Sequence, residues 1–230
     1  MEWGRERARA GPWRGNGRIA YLTPAPGGPA PSIGFLRRCL HQLAAQGYAT
    51  VITSALAPAE QAAFSAVGFE EQERLRLLSH DLVHLPAAPE VPHRRARAAD
   101  RPAVLAIDTV AFPPFWQLDG VGLDEALGAT PASRFRVALD DRGRVVAYAV
   151  SGRSRGQGYL QRLAVDPAHR RGGIGRALAL DGLRWMRRRG VDRAVVNTQY
   201  GNEAALCLYL ALGFREEPWG LSVLRRDLGP

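Results

Sequence analysis

Residues 159–178, YLQRLAVDPAHRRGGIGRAL, set a strand-like run, a glycine turn flanked by arginines and the start of a helix in that order. Tyr159 to Val165 carries the alternation of a strand and ends at Asp166-Pro167, and Gly175 opens a helical pattern that runs to Gly190. With no Cβ at Gly172, Gly173 and Gly175, consecutive backbone NH groups can converge on an anion. The unpaired donors and the positive dipole end of the helix add to that field. The stretch therefore predicts a turn that holds phosphate, with Arg170 or Arg171 supplying charge. Its spacing differs from a GxGxxG dinucleotide turn, and it lacks the Lys-Ser/Thr that a nucleotide-phosphate loop needs.

Arg170-x-x-Gly173-x-Gly175 resembles the Q/R-x-x-G-x-G/A pyrophosphate loop of the GNAT acetyltransferases. Asn202 to Tyr209, followed by Gly213-Phe214, is similar to that family's N-x-x-A-x-x-L-Y-x-x-x-G-F helix, and the two motifs stand in family order. The resemblance covers residues 103–230. It implies a GNAT fold of the α/β (α+β) class, a mixed, mostly antiparallel, twisted sheet flanked by helices, with acetyl-CoA as coenzyme. It also implies roles for single residues. Main-chain groups of Leu163, Ala164 and Val165, on a strand splayed by a bulge, would meet the pantetheine arm, and one NH would polarise the thioester carbonyl. Arg170, Arg171, Gly172, Gly173, Ile174, Gly175 and Arg176 would hold the pyrophosphate. Tyr209 would donate a hydrogen bond to the thioester sulfur and protonate it, and Asn202 would contact the pantetheine or order the site. Asn202 is equally suited to cap its helix.

All 31 basic residues are arginine, and they give a formal charge of +9. Complete replacement of lysine points to codon bias. The arginines scatter, with short runs at Arg94–Arg97 and Arg187–Arg189, so a dedicated nucleic-acid binder is not expected. No run approaches the roughly 20 apolar residues of a membrane span, and the opening residues lack the apolar core of a secretory signal. A cytoplasmic protein without a membrane partner is expected, with Cys39 and Cys207 reduced. The histidines and cysteines lack metal-ligand spacing, so no metal is expected.

Residues 1–18, rich in Arg and Gly, read as a flexible tail, and residues 86–102, rich in proline and charge, as a linker. Between them, 19–85 repeats the order helix, strand, helix, strand found after Ile174 and ends its second helix on Gly68-Phe69, as the later copy does on Gly213-Phe214. This segment is expected to be a degenerate partial GNAT-like module beside a catalytic domain at 103–230. Pro29, Pro31 and Ser32 replace the donor-rich turn, and Phe64 stands opposite Tyr209.

Acetyl transfer to an amine requires the amine to be neutral, and no base is evident. Some N-terminal acetyltransferases of the family carry a glutamate five residues before the motif asparagine; here that residue is Asn197, which argues against a ribosomal-protein acetylase. Asp119, Asp124, Glu125, Glu203, Glu216 and Glu217 remain candidates. Phe115, Trp116, Asp119, Asn197 and Trp219 are expected around an acceptor amine of a small molecule or peptide. The doubled order also resembles tandem-GNAT mycothiol synthases, which act on an aminothiol. A non-catalytic acetyl-CoA sensor and a homodimer stay open.

Overall fold

A computed structural model describes residues 1–25 and 28–229; residues 26, 27 and 230, inside the expected 19–85 and 103–230 segments, lie outside the described residues. In chain order the elements are β1 (Glu2–Trp3), β2 (Glu6–Trp13), β3 (Asn16–Pro24), α1 (Ile33–Ala45), β4 (Thr50–Leu56), α2 (Pro58–Ser65) and β5 (Glu70–His80). They continue with β6 (His93–Arg95), α3 (Arg101–Ala111), α4 (Gly120–Gly128), β7 (Ala132–Leu139), β8 (Val145–Ser154), β9 (Gln157–Val165), α5 (Ile174–Arg188), β10 (Arg193–Gln199), α6 (Glu203–Ala211), β11 (Arg215–Glu216) and β12 (Leu221–Asp227). Contacts divide the chain into two units. The first is Met1–Leu77, Asn197–Gly201 and Glu217–Pro230, and the second Leu78–Val196 and Asn202–Glu216.

In the first unit the strand order is β1-β2-β3-β4-β12-β5, with β3 and β4 parallel and the other pairs antiparallel. The expected tail at 1–18 is instead ordered strand. Arg14 (φ 50°) and Gly15 (φ 71°) form a two-residue turn with both residues left-handed, the geometry whose twist matches a hairpin, and Trp13 pairs with Asn16 across it. Ala8 and Ala20 are buried against Leu36, Leu43, Val51 and Phe64, so small residues rather than bulky ones fix these strands to the core. α1 closes that core with Phe35, Leu36, Cys39, Leu40 and Leu43 on one face. Burial pushes the Cys39 thiol up to about 11, which keeps it an inert packing group.

In the second unit β10-β9-β8-β7-β6 form a mixed sheet in which only β10 and β9 run parallel. α3 buries Val104 and Ile107 against Tyr148, Val150 and Ala164 on one face. α5 brings Leu178, Leu180, Leu183 and Met186 to the sheet on the other. The β8–β9 hairpin turns on Arg155 (φ 47°) and Gly156 (φ 79°), the same Arg-Gly pair as in the first unit. The interval from Gly15 to Ile33, where α1 starts, equals that from Gly156 to Ile174, where α5 starts.

Two further expectations change. The linker at 86–102 holds β6, because Arg94 is clasped on Asp100 at 2.6 and 2.9 Å while Asp100 also accepts from the Arg97 amide at 2.7 Å. The boundary of the units falls after Leu77, ahead of that segment. At the end of the chain β11 pairs with β5 at Ser79 and Leu78, and β12 with β4 and β5. No helix among the described residues is long and apolar enough to cross a membrane.

α5 approaches the sheet closely at Gly182, where a Cβ would overlap the Ser151 hydroxyl. Gly182→Ala is expected to cost about 1–3 kcal/mol through overpacking, read as a lowered urea midpoint with unchanged slope.

Candidate functional site

Parallel pairing of β9 and β10 begins at Gln157↔Arg193 and, among the described residues, ends at Tyr159↔Val195. Beyond that point β9 runs six more residues to Val165. The divergence follows from a bulge on β9: Val150 of β8 pairs with Arg162 and Ser151 with Leu160, so Gln161 is the extra residue. The bulge lies ahead of the expected Leu163–Val165 stretch. Ladder alternation then sorts those three residues. Asp166 donates its amide to Val146 at 2.9 Å, so Ala164 directs its main-chain groups to Tyr148 on β8, whereas those of Leu163 and Val165 face the edge that β10 leaves.

At the end of β9 the chain makes the expected turn. Asp166 caps a short 3-10 turn at Pro167–His169, and Arg170 donates Nε to the Val165 carbonyl at 3.3 Å, which ties the turn to the strand. Arg171 (φ 71°) and Gly173 (φ 77°) are both left-handed, and Gly173 is the N-cap of α5 with no side-chain cap. The first intrahelical bond runs from the Ala177 amide to the Gly173 carbonyl at 2.9 Å, so the amides of Ile174, Gly175 and Arg176 open the helix without one. No acidic residue occupies that first turn. The dipole end thus has no carboxylate of its own first turn to satisfy it. Among the three glycines only Gly173 is held in a conformation that side chains avoid; a Cβ on Gly175 would rest 3.5 Å from Leu208 and 3.6 Å from Val165, an ordinary contact.

That contact also shows how the parts converge, since Leu208 belongs to α6 and Val165 to β9. Asn202 caps α6, its Oδ1 accepting from the Ala205 amide at 3.2 Å. Tyr209, about two turns further on, is 6% exposed and packs on Phe214 with ring centroids 5.7 Å apart. Burial pushes its phenol up to about 12, so it carries its proton throughout the physiological range. Among the described residues its hydroxyl makes no hydrogen bond. His169 Nδ1 lies 3.8 Å from Asp166, in the 3-10 turn rather than beside Tyr209.

The aromatic segment is held by a charge cluster that the sequence reading missed. Asp108 is fully buried on α3 and accepts from Arg162 Nε and Nη2 at 2.8 and 2.9 Å, from the Tyr148 hydroxyl, and from the Leu118 amide at 2.6 Å. Arg162 also donates to the Trp116 carbonyl at 2.6 Å, and its guanidinium lies 3.5 Å over the Phe112 ring. Residues 112–118 are therefore pinned at three points, with Phe115 and Trp116 in an edge contact 5.0 Å apart. The available signal was Asp108 itself, a carboxylate on the same helical stripe as Val104 and Ile107.

Other candidate bases have structural duties. Asp119 caps α4 through the Gly122 amide at 2.7 Å, and Asp124 pairs with Arg101 at 2.7 Å. Glu203 lies in the first turn of α6. Asn197 and Trp219 fall in the first unit, both exposed, whereas Phe115, Trp116 and Asp119 belong to the second.

Two stability outcomes follow. Gly173→Ala should cost about 1–2 kcal/mol for the left-handed backbone, whereas Gly172→Ala should leave the denaturation midpoint near wild type. Arg162→Met should cost about 3–5 kcal/mol by stranding the Asp108 carboxylate, and adding Asp108→Asn should restore much of it in chemical unfolding.

Comparison with known proteins accords with this geometry. Residues 101–214 match the acetyltransferase (GNAT) family. The mycothiol acetyltransferase of Saccharomonospora viridis is 34% identical over 131 residues, 50% of this chain and 42% of that protein. The ribosomal protein bS18-alanine N-acetyltransferase of Escherichia coli K12 is 33% identical over 92 residues, 40% of this chain and 59% of that one. The chain thus spans less than two thirds of either relative. A tandem GNAT protein from the clavulanic acid biosynthesis pathway shares the fold, with a TM-score of 0.65 at 16% identity over 94% of this chain and 77% of that chain. The motif-bearing domain, with its splayed β9, open α5 terminus and α6 tyrosine, makes this chain a member of the GNAT superfamily.

Proposed function

We propose that the protein is an acetyl-CoA-dependent N-acetyltransferase in which a primary amine of a small molecule or peptide attacks directly in a ternary complex. The observation that carries this reading is the end of β9–β10 pairing beside an uncapped helix terminus and a buried, proton-bearing phenol. Acetyl-CoA, when bound, supplies an activated acetyl group and a thiolate leaving group. The chain's own residues suit it. Amides from Arg171 to Arg176 would hold the pyrophosphate, with Arg171 and Arg176 adding charge. Main-chain groups of Leu163 and Val165 would orient the pantetheine amides, while Ala164, committed to β8, supports the strand.

Tyr209 acts as a hydrogen-bond donor at the leaving sulfur. A phenol near 12 is a weaker acid than a thiol near 8.5, so full proton transfer runs uphill and the stabilisation comes chiefly from the donated bond. Asn202 holds α6 in place and so sets the position of Tyr209. With Asp108 saturated by four donors, the ammonium proton leaves by another route, through water or an exposed carboxylate.

A second reading narrows the acceptor to an aminothiol. The likeness to mycothiol acetyltransferase and the repeated Arg-Gly turn, helix and strand order of the two units favour it. On this reading residues 1–77 are a degenerate GNAT-like module that includes the first 18 residues.

Calorimetry with acetyl-CoA and thiol release over a panel of amines and aminothiols test the proposal. Binding with acceptor-dependent thiol release is expected; binding without it would mark a sensor, and no heat at millimolar coenzyme would remove the coenzyme reading. Tyr209→Phe keeps the packing and should lower kcat on the order of a hundredfold with coenzyme affinity little changed. Because the phenol's pKa is raised, the wild-type rate should show no alkaline loss from Tyr209 near pH about 10, where an unperturbed phenol would titrate.

A further inference from the structure

β6 covers β7 only in part. His93, Arg94 and Arg95 pair with Ala138, Val137 and Arg136, the Ala96 amide adds a last bond to the Phe135 carbonyl at 3.1 Å, and the chain then turns away into the 3-10 turn at Ala98–Asp100. Since Phe135 presents its carbonyl to that edge, ladder alternation points the N–H and C=O of Ser133 the same way, past the end of β6. Ser133 is exposed. A cavity of about 530 Å³ lies over this edge.

The two flanks of the cavity differ in chemistry. Residues paired across β6 and β7 share a face, so Arg95 stands beside Arg136, and Arg134 follows two residues along the same face with Trp185 of α5. Asp181 accepts from Arg134 at 2.6 and 2.8 Å and from Arg136 at 3.2 Å, and His93 lies 3.5 Å from it. Arg95 has no ion pair among the described residues. Two guanidiniums thus share one carboxylate and the third, that of Arg95, has none, so this flank carries excess positive charge. The opposite flank is apolar: Phe135, Ala96 and Leu127 of α4.

We propose that the open β7 edge at Ser133 docks a short, extended, acidic segment of a partner polypeptide by strand addition. Main-chain bonds to Ser133 supply the register, and alternate side chains fall on the two flanks, acids toward Arg95 and Arg134 and apolar groups toward Phe135 and Leu127. Such a partner alternates acidic and apolar residues. A nucleic acid would satisfy the charge but not the strand edge or the apolar flank.

A fluorescein-labelled peptide of alternating glutamate and leucine, titrated into the full chain at low salt and followed by anisotropy, tests this. Saturable binding is expected, weakened about tenfold by Arg95→Glu and by at least as much by Ser133→Pro, which removes the outward N–H at a position where edge strands accept proline. Circular dichroism confirms that each variant is folded. If Ser133→Pro unfolds, a backbone N-methylated peptide gives the same test on the wild-type chain, again with about tenfold weaker binding expected. The proposal is overturned if the peptide does not bind, if neither Ser133→Pro nor N-methylation weakens it, or if a single-stranded oligonucleotide of equal charge displaces it with equal affinity.

Discussion

The parting of β9 from β10 after Tyr159↔Val195 is the constraint on which the candidate site rests. A sheet satisfies its main-chain groups by pairing, and an inner strand that forgoes a partner must offer those groups to something else. Here the bulge at Gln161 ends the pairing, and Leu163 and Val165 are left facing outward at the point where α5 begins. The turn is tied to the same strand end through Arg170 and Val165. Open strand edge and open helix terminus thus arise from one local arrangement, and the side chains of Leu208 and Val165 both approach Gly175.

The buried cluster around Asp108 answers a different need. An ion pair in a core rarely adds net stability over apolar packing, because both partners lose their hydration. Its directional bonds can nevertheless fix a segment that apolar contacts alone would leave variable. Arg162 and Asp108 bind the Trp116 carbonyl and the Leu118 amide, and Arg162 lies over Phe112, so a stretch interrupted by two prolines takes one shape. Arg162 stands next to the bulge residue Gln161. The bulge that opens β9 therefore sits at the strand position that anchors the aromatic segment.

Much of the second unit was legible because its elements carry strong periodicity and terminal signals. The strand at Arg193–Gln199 and the helix after Asn202 fall where alternation and capping place them. The first 18 residues were not legible, since the one buried residue of β2 is Ala8 and its other positions include arginine, glycine and proline. An Arg-Gly turn is also a poorer signal than Asn-Gly, although the same pair recurs at the β8–β9 hairpin. β6 was hidden by its charges, because the arginine run that suggested a linker includes Arg94, which is folded onto Asp100. Asp108 was overlooked for the opposite reason: a carboxylate in an apolar stripe was read past as helix.

The two units repeat an element order yet differ at the feature that matters for anion binding. In the first, β3 and β4 stay together toward their ends, where Thr23 and Ser54 hydroxyls meet at 2.5 Å. The start of α1 is filled from within: Ser32 caps the Phe35 amide at 3.2 Å, and Glu6 of β2 accepts from both the Ser32 amide and its hydroxyl. A carboxylate at a helix N-terminus satisfies the dipole as a phosphate would, so this terminus already holds its anion. Prolines before α1 account for missing donors, but the internal carboxylate is the more decisive difference, because it would have to be displaced before any ligand could enter. In α5 no such group exists in the first turn, and the cap residue is a glycine with nothing to offer. An acidic side chain from β2 thus fills the start of α1, whereas the first turn of α5 holds none.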